Sequence, residues 1–373
     1  MSLLHLFILL GLLLIAGNYL LNLKGFRFPL LPKPAQPTPL LSVLIPARNE
    51  ENRLTPCLDS ITESDYPNFE ILVLDDHSQD GTAQLIEKHA RGDTRIRGLK
   101  GRDLPAGWTG KAWACHQLAQ TAKGEFLLFL DADTRIDRET LMSSVNVALG
   151  RGSDLLSLWP YQETKTWSEI LVIPFVHLFI LFYLPHWMPG RQAQLGAANG
   201  QFMLFRKEAY LKIGGHESVR GHMVEDIALA RRIRSAGLRL VNLDGSRRGV
   251  SEPLVRCRMY GSFREVWEGF TKNLYPSFDG NLPAFCFFQA LQFFVFLLPF
   301  VLFLKHPADP LVWTEIFIIL ALRLSLAGRF KQSFLGALLH PLGQILVLAI
   351  AANSLLQTFR RRLPWKGRHY HHG

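Results

Sequence analysis

The chain has 373 residues, 48% of them hydrophobic and 19% charged, with a formal net charge of +10. That length holds one large or two ordinary domains, and the apolar residues cluster at both ends, which a chain that is globular throughout would not show. The positive balance does not read as nucleic-acid binding. Lys and Arg sit at the edges of apolar runs, on one helix (Arg231, Arg232, Arg234) and in the tail Arg360-Arg361-Arg362, where an anionic membrane surface accounts for them, and no nucleic-acid module is recognisable.

The first run, Leu3 to Leu21, is nearly uncharged and long enough to cross a bilayer. It lacks the charged leader and small-residue cleavage site of a secretory signal, so residues 1–23 read as an uncleaved anchor. Lys24, Arg27 and Lys33 follow, and positive flanks stay cytoplasmic, which predicts a multi-pass protein of the cell membrane with a cytosolic middle domain. Residues 24–40 form a linker, stiffened by five prolines between Phe28 and Pro39. Strands then alternate with helices: a strand over Leu41 to Pro46, a helix from about Glu50, a strand over Phe69 to Leu74, a helix over Gly81 to Arg91. Arg95 to Leu99 gives a third strand, Gly110 to Ala122 a third helix, Phe126 to Leu130 a fourth strand. This order predicts a mostly parallel sheet with helices on both faces, in a domain over residues 41–280. Cys57, Cys115, Cys257 and Cys286 lie far apart and read as buried, reduced thiols.

Two strands run into carboxylates. Ile71 to Leu74 leads into Asp75-Asp76-His77-Ser78-Gln79-Asp80-Gly81-Thr82, and Phe126 to Leu130 into Asp131-Ala132-Asp133. Ligands collect at the carboxyl ends of parallel strands. Asp131 and Asp133, one residue apart, can turn toward a single hard cation such as Mg2+ or Mn2+. Each pair also has a structural reading: Asp131 and Asp133 as the start of a loop, Asp75 and Asp76 as a turn and helix cap, although Asp80 or Ser78 would suffice as the cap. Further on, Asn199 to Arg206 reads as a strand and Gly214-Gly215 as a turn. Val224 to Ile233 starts an amphipathic helix whose first turn holds Glu225 and Asp226, there either to complement the helix dipole or to do chemistry.

Ser42-Val43-Leu44-Ile45-Pro46-Ala47-Arg48-Asn49-Glu50-Glu51, the Asp75 to Thr82 stretch and Asp131-Ala132-Asp133, in that order and spacing, resemble the family-two inverting glycosyltransferases of GT-A fold. The resemblance covers about Leu41 to Asn273. Leu104 to Cys115 and Pro364 to Tyr370 look like the membrane-bound branch associated with carotenoid and hopanoid pathways. The resemblance implies an α/β, Rossmann-like GT-A domain, a nucleotide-sugar donor (a UDP-sugar is expected) and a divalent cation. Pro46, Arg48 and Glu50 would line the nucleotide pocket, and one of Asp75 and Asp76 would accept a hydrogen bond from the base. Lys111 would lie near the donor or else on the helix surface. Asp133 would bind the metal directly with Asp131 in support, and Asp226 would be the general base. Gly110-Lys111 is not a Walker motif, since Pro105 stands where that motif needs Gly and Ala112 where it needs Ser or Thr. Processive members carry a Gln-or-Arg-x-x-Arg-Trp motif. The corresponding stretch here, Ser262 to Gly269, has Arg264 and Trp267 at another spacing, so one sugar per acceptor is expected.

Glu169 to Pro189 is apolar and aromatic, but a full span there would put Asp133 and Asp226 on opposite sides of the bilayer. An interfacial helix or hairpin beside a lipid acceptor, or a buried core helix, is expected instead. Residues 284–359 contain three runs, Phe285 to Leu304, Leu311 to Leu326 and Leu335 to Leu356, of which two or three cross. If all three crossed, the basic tail 360–373 would fall outside, against the positive-inside tendency. The middle run carries Glu315 and Arg323, which points to a re-entrant or interfacial path and a cytosolic tail. The expected function is transfer of one sugar to a lipophilic hydroxyl or carboxyl acceptor such as a carotenoid or related isoprenoid lipid. The alternatives are a polyprenyl-phosphate sugar synthase or other glycolipid synthase of the same fold, and a non-catalytic membrane scaffold or transporter. No sequence signal fixes an oligomeric state.

Overall fold

The computed structural model describes residues 3–26, 28, 38–188, 195–246, 253–360, 363–365 and 368–370. The chain divides into two compact units, one of Met1–Gly25, Thr164–Trp187 and Tyr260–Gly373, the other of Phe26–Glu163 and Met188–Met259. Most of the proline-rich linker, with Arg27 and Lys33, and most of the basic tail lie outside the described residues.

After α1 (Leu3–Gly25), which belongs to the first unit, the second unit opens with β1 (Leu41–Ala47), α2 (Leu54–Thr62), β2 (Phe69–Asp75) and α3 (Thr82–Gly92). Then come β3 (Ile96–Lys100), α4 (Gly110–Thr121) and β4 (Phe126–Leu130), within a residue or so of the expected bounds. Helix α2 starts later than expected because Asn49 takes a positive φ of 54° and the Glu50 N–H donates to Thr82 Oγ1 at 2.8 Å, which holds this stretch as a turn. β5 (Thr134–Ile136), α5 (Thr140–Arg151), β6 (Leu155–Trp159) and β7 (Tyr161–Gln162) follow. The chain passes through α6 (Trp167–Val172) and α7 (Phe175–Tyr183) of the first unit and returns for β8 (Phe202–Arg206), α8 (Lys207–Lys212), α9 (Glu225–Ser235), β9 (Leu240–Asp244) and β10 (Val255–Cys257).

Seven strands form one sheet in the order β3-β2-β1-β4-β8-β6-β9, and β5, β10 and β7 form a small second sheet. In the large sheet every pairing is parallel except those of β8, which runs antiparallel to both β4 and β6. Alternate residues feed opposite cores, as the two-residue period of a strand requires. Val43, Ile45, Ile71, Val73, Leu128 and Leu130 join Leu58 and Ile61 of α2 on one face. Leu44, Leu72, Leu74, Leu127 and Phe129 join Leu118 of α4 and Leu229 and Ile233 of α9 on the other. Both faces are covered, which is why these strands read as unbroken apolar runs. Because β8 is reversed, it begins at the edge where its parallel neighbours end, and Asp131 N–H donates to Gln201 O at 3.4 Å.

The first unit adds α10 (Phe263–Asn273), α11 (Leu282–Gln292), α12 (Leu298–Lys305), α13 (Pro310–Arg329), α14 (Phe334–Leu338), α15 (His340–Phe359) and a terminal hairpin, β11 (Leu363–Trp365) with β12 (Arg368–Tyr370). Four helical stretches are long and apolar enough to cross a membrane: Leu3–Gly25, Leu282–Lys305, Pro310–Arg329 and His340–Phe359. The second of these contains a π-turn at Phe293–Leu297 between α11 and α12. Helices α6 and α7, of 6 and 9 residues, are each too short to span. The carbonyls at the end of α7 are satisfied by two asparagines inside the otherwise apolar α1: Asn18 donates to Phe182 O at 3.0 Å and Asn22 to Leu184 O at 2.7 Å. The expected burial of all four thiols holds for Cys57, Cys115 and Cys257, while Cys286 is exposed on α11.

Contacts fix the helix directions. His5 bonds Glu315 at 2.9 Å and Tyr19 bonds Ser325 at 3.1 Å, so α1 and α13 run parallel. Phe303 meets Trp313 at 4.9 Å across the tight turn from α12 to α13, which are antiparallel. His340, at the start of α15, packs on Phe296 and Phe300, whereas Ala351 packs with Tyr275 and Phe285, and Ser354 Oγ accepts from Tyr275 N–H at 2.9 Å. Helix α15 therefore runs antiparallel to α11 and α12 and parallel to α13, and it ends level with the start of α11.

Candidate active site

The carboxyl edge of the sheet collects the predicted donor-side residues. Arg48 Nη1 donates to the carbonyls of Asp76 at 2.5 Å and His77 at 3.2 Å, tying the loop after β1 to the loop after β2, with Pro46 half-buried at the end of β1. The structure separates Asp75 from Asp76. Asp75 Oδ1 accepts the Ser78 N–H at 3.1 Å, the turn role its structural reading predicts, and Asp80 Oδ1 accepts the Thr82 N–H at 3.1 Å at the start of α3. Asp76 is 5% exposed and Glu50 8%.

Lys111, in the first turn of α4, joins the donor side to the later half of the chain. Its Nζ lies 2.8 Å from Asp131 Oδ1 and 2.9 Å from Glu225 Oε1, so it is an ion-paired bridge rather than a solvated helix-surface lysine. Burial alone would lower its pKa, but the Asp131 and Glu225 charges outweigh burial and hold it well above the lysine range. Asp226, next to Glu225 at the start of α9, is fixed by backbone donors: Gly200 N–H at 2.9 Å to Oδ2 and Ile227 N–H at 2.8 Å to Oδ1. Desolvation first, then the Glu225 charge, push the Asp226 carboxyl up to about 6, opposed by Lys111 and the two amides. A carboxylate poised there is ionised near neutrality and basic enough to take a proton.

Gly200 is a functional residue that the strand reading of its segment passed over. A Cβ at Gly200 would stand 3.0 Å from Asp226 Oδ2 and 3.3 Å from Lys111 Nζ, so only glycine lets both groups approach this backbone. Its one sequence signal is a glycine two residues before β8, in a turn. His216 is buried, exchanges hydrogen bonds with the Tyr210 hydroxyl at 2.9 and 3.0 Å, and is held neutral with its pKa pushed down to about 3 by burial.

Asp131 and Asp133 lie at the tip of β4 as expected. Desolvation, then Asp131, then Glu50 push Asp133 up to about 7. Among the described residues no group of three or more His, Cys, Asp or Glu side chains is arranged to hold a metal ion by itself. The carboxylate oxygens of Asp131 and Asp133 nevertheless fit a hard divalent cation, whose charge would offset the excess of negative charge around Asp133, with the buried Cys257 thiol hydrogen-bonded beside them. Because Asp131 is already paired with Lys111, Asp133 is the side chain better placed to ligate.

A mostly parallel sheet with carboxylates along its carboxyl edge, closed by a helix that brings in a further carboxylate, is the arrangement of a GT-A-type fold. The family model described as Glycosyl transferase family 2 matches residues 42–214. The chain is 31% identical over 351 residues, 88% of each chain, to 4,4'-diaponeurosporenoate glycosyltransferase of Staphylococcus aureus strain USA300, and 30% identical over the same shares to that of the bovine strain RF122 / ET3-1. Among solved structures, the mannosyltransferase PcManGT from Pyrobaculum calidifontis, in complex with GDP-Man and Mn2+, is similar in fold, with a TM-score of 0.57 at 18% identity, covering 95% of this chain and 99% of that one. The chain belongs to glycosyl transferase family 2 and is a glycosyltransferase.

Proposed function

We propose that this protein moves one sugar from a nucleotide-sugar, a UDP-sugar being the expected donor, to a lipophilic isoprenoid acceptor of the carotenoid class, with inversion at the anomeric carbon. The observation that carries this reading is the Asp131–Lys111–Glu225 bridge, which puts Asp226 and the strand-tip carboxylates in one site. The staphylococcal relatives, named for a carotenoid acid, support the acceptor class.

In the proposed reaction Arg48, Glu50 and Pro46 shape the nucleotide pocket. One of Asp75, which also accepts the Ser78 amide, and Asp76, which also pairs with His77, accepts from the base. Asp133, with Asp131 beside it, would hold a divalent cation whose charge offsets that of the leaving diphosphate. Asp226 takes the proton of an acceptor hydroxyl as the oxygen attacks the anomeric carbon and the nucleoside diphosphate leaves from the opposite face. A carboxyl acceptor arrives already ionised near neutral pH and leaves Asp226 no proton to take. Lys111 then matters more, because it pairs with both Asp131 and Glu225.

Arg264, in the stretch that replaces the processive motif, is 85% exposed and paired with Glu268 at 2.7 Å on the surface of α10, which supports transfer of a single sugar. For the membrane arrangement, α15 ends level with the start of α11, so Arg360 at its end lies on the side where α11 begins. With Lys24 at the end of α1 this supports a cytosolic catalytic domain and tail.

The test is expression in a host making candidate isoprenoid lipids, with lipid extracts compared by mass spectrometry. A mass increase of one hexose on a carotenoid, absent in Asp133→Ala, is expected. The sugar appearing on a polyprenyl phosphate would assign the alternative synthase, and chains of several sugars would refute single transfer.

A further inference from the structure

The membrane-length helices contain a buried charge for which the described residues supply no carboxylate partner. Arg323, on α13, is 1% exposed, and its Nε and Nη1 make no hydrogen bond. Glu315, the one carboxylate of that helix, lies about two turns away and is bonded to His5 at 2.9 Å. A guanidinium cannot shed its proton as a buried lysine can, and an isolated buried charge in a membrane helix is costly unless a counter-charge reaches it.

The groups around Arg323 are equally unsatisfied. Its guanidinium lies 5.5 Å from the centroid of the Phe175 ring, and the His340 ring stacks on that same phenylalanine at 5.6 Å with planes 17° apart. His340 opens α15, has no exposed surface and no hydrogen bond at either ring nitrogen. One turn further on the same face, Gln344 is fully buried with both amide atoms unbonded. Gln292, where α11 meets the π-turn, is also fully buried, beside the Tyr183 hydroxyl. At the start of α15 Pro341 has no N–H and the Leu342 and Gly343 N–H groups donate to Leu339 O at 3.0 and 3.2 Å, so the helix contributes its dipole beside His340 rather than free donors. A guanidinium, an imidazole and a helix N-terminus, with Phe175, Phe296 and Phe300 as apolar walls, complement an anion attached to a hydrocarbon chain.

We infer that Arg323, His340, Gln344 and the start of α15 form a binding site for the acidic headgroup, a carboxylate or phosphate, of a lipid. The site is built within the membrane-helix unit, and the inference stands independently of the catalytic reading.

The full-length chain, purified in a neutral detergent, is tested by thermal unfolding with phosphatidylglycerol, oleate, phosphatidylcholine and inorganic phosphate added separately, and by native mass spectrometry for retained lipid. Phosphatidylglycerol or oleate is expected to raise the wild-type Tm by roughly 5 °C and phosphatidylcholine to leave it unchanged. Persistence of the shift at high salt is expected of a buried site, because screening acts mainly on exposed charges. Comparison of phosphatidylglycerol with oleate tells which headgroup is preferred. Arg323→Met should abolish the shift without lowering the lipid-free Tm, since it removes an unpaired buried charge. His340→Ala should reduce the shift. An equal shift in wild type and Arg323→Met, a shift with inorganic phosphate alone, or wild-type protein that retains no anionic lipid and responds to none would each overturn the inference.

Discussion

Asp226 is where sequence position, hydrogen bonding and charge meet. Its carboxyl stands at about 6 because burial and Glu225 raise it while Lys111 and two amides hold it down. A base must be deprotonated to act, so with a hydroxyl acceptor the rate should fall as pH drops through about 6 and level off above it. Glu225→Gln should shift that acid limb to lower pH by removing a neighbouring negative charge, and a pH–rate profile of the two proteins checks the sign. Asp226→Asn should keep donor affinity and lose about 10²–10⁴-fold in kcat with a hydroxyl acceptor, the usual contribution of a positioned base. Near wild-type turnover would remove Asp226 from that role, unless the acceptor proves to be a carboxylate, for which the loss should be small. Gly200→Ala tests the backbone approach. The added methyl would sit 3.0 Å from Asp226 Oδ2, and displacing the base by a fraction of an ångström should lower kcat about 10- to 100-fold with little change in donor KM.

At the scale of elements, the strand tips were legible because a run such as Phe126 to Leu130 can only be a doubly covered strand, and the acids that end it must lie at a sheet edge. The reversal of β8 was not legible. Strand propensity and hydropathy read the same in both directions, and β8's antiparallel pairing depends on partners about 75 residues upstream, as with Leu127 opposite Phe205. That reversal is what delivers Gly200 to Asp226. The glycines of the membrane-helix unit make a similar point. At Gly343, on α15, a Cβ would meet Leu171 O at 2.7 Å and Phe175 Cε2 at 3.1 Å, so α15 crosses α6 in near backbone contact. Gly343→Ala should destabilise the protein by about 1–3 kcal/mol, the usual penalty for overpacking, seen as a lowered Tm in detergent. An unchanged Tm would mean that α6 and α15 do not pack this closely.

For the whole molecule, four apolar helices of spanning length invite a reading of alternate crossings, and that reading would leave α15 antiparallel to α13. The contacts give the opposite direction. A cysteine placed at Gly373, in a Cys286→Ser background that removes the exposed native thiol, should be labelled in sealed vesicles from the same side as a cysteine placed at Gly280. Labelling from opposite sides would exclude this arrangement. Glu315 and Arg323, inside α13, are both buried within their unit. The sequence by itself determined the family, the alternating α/β domain, the carboxylate-tipped strands and the apolar spans, because each is written in neighbouring residues whose spacing and solubility admit few structures. Only the tertiary structure decided that Lys111 bridges Asp131 to Glu225, that Gly200 orients Asp226, that Arg323 is enclosed without a carboxylate partner among the described residues, and that α15 returns toward the start of α11. Each of these depends on which distant segments share one sheet edge or one helix bundle, and hydropathy and propensity do not encode direction or partner.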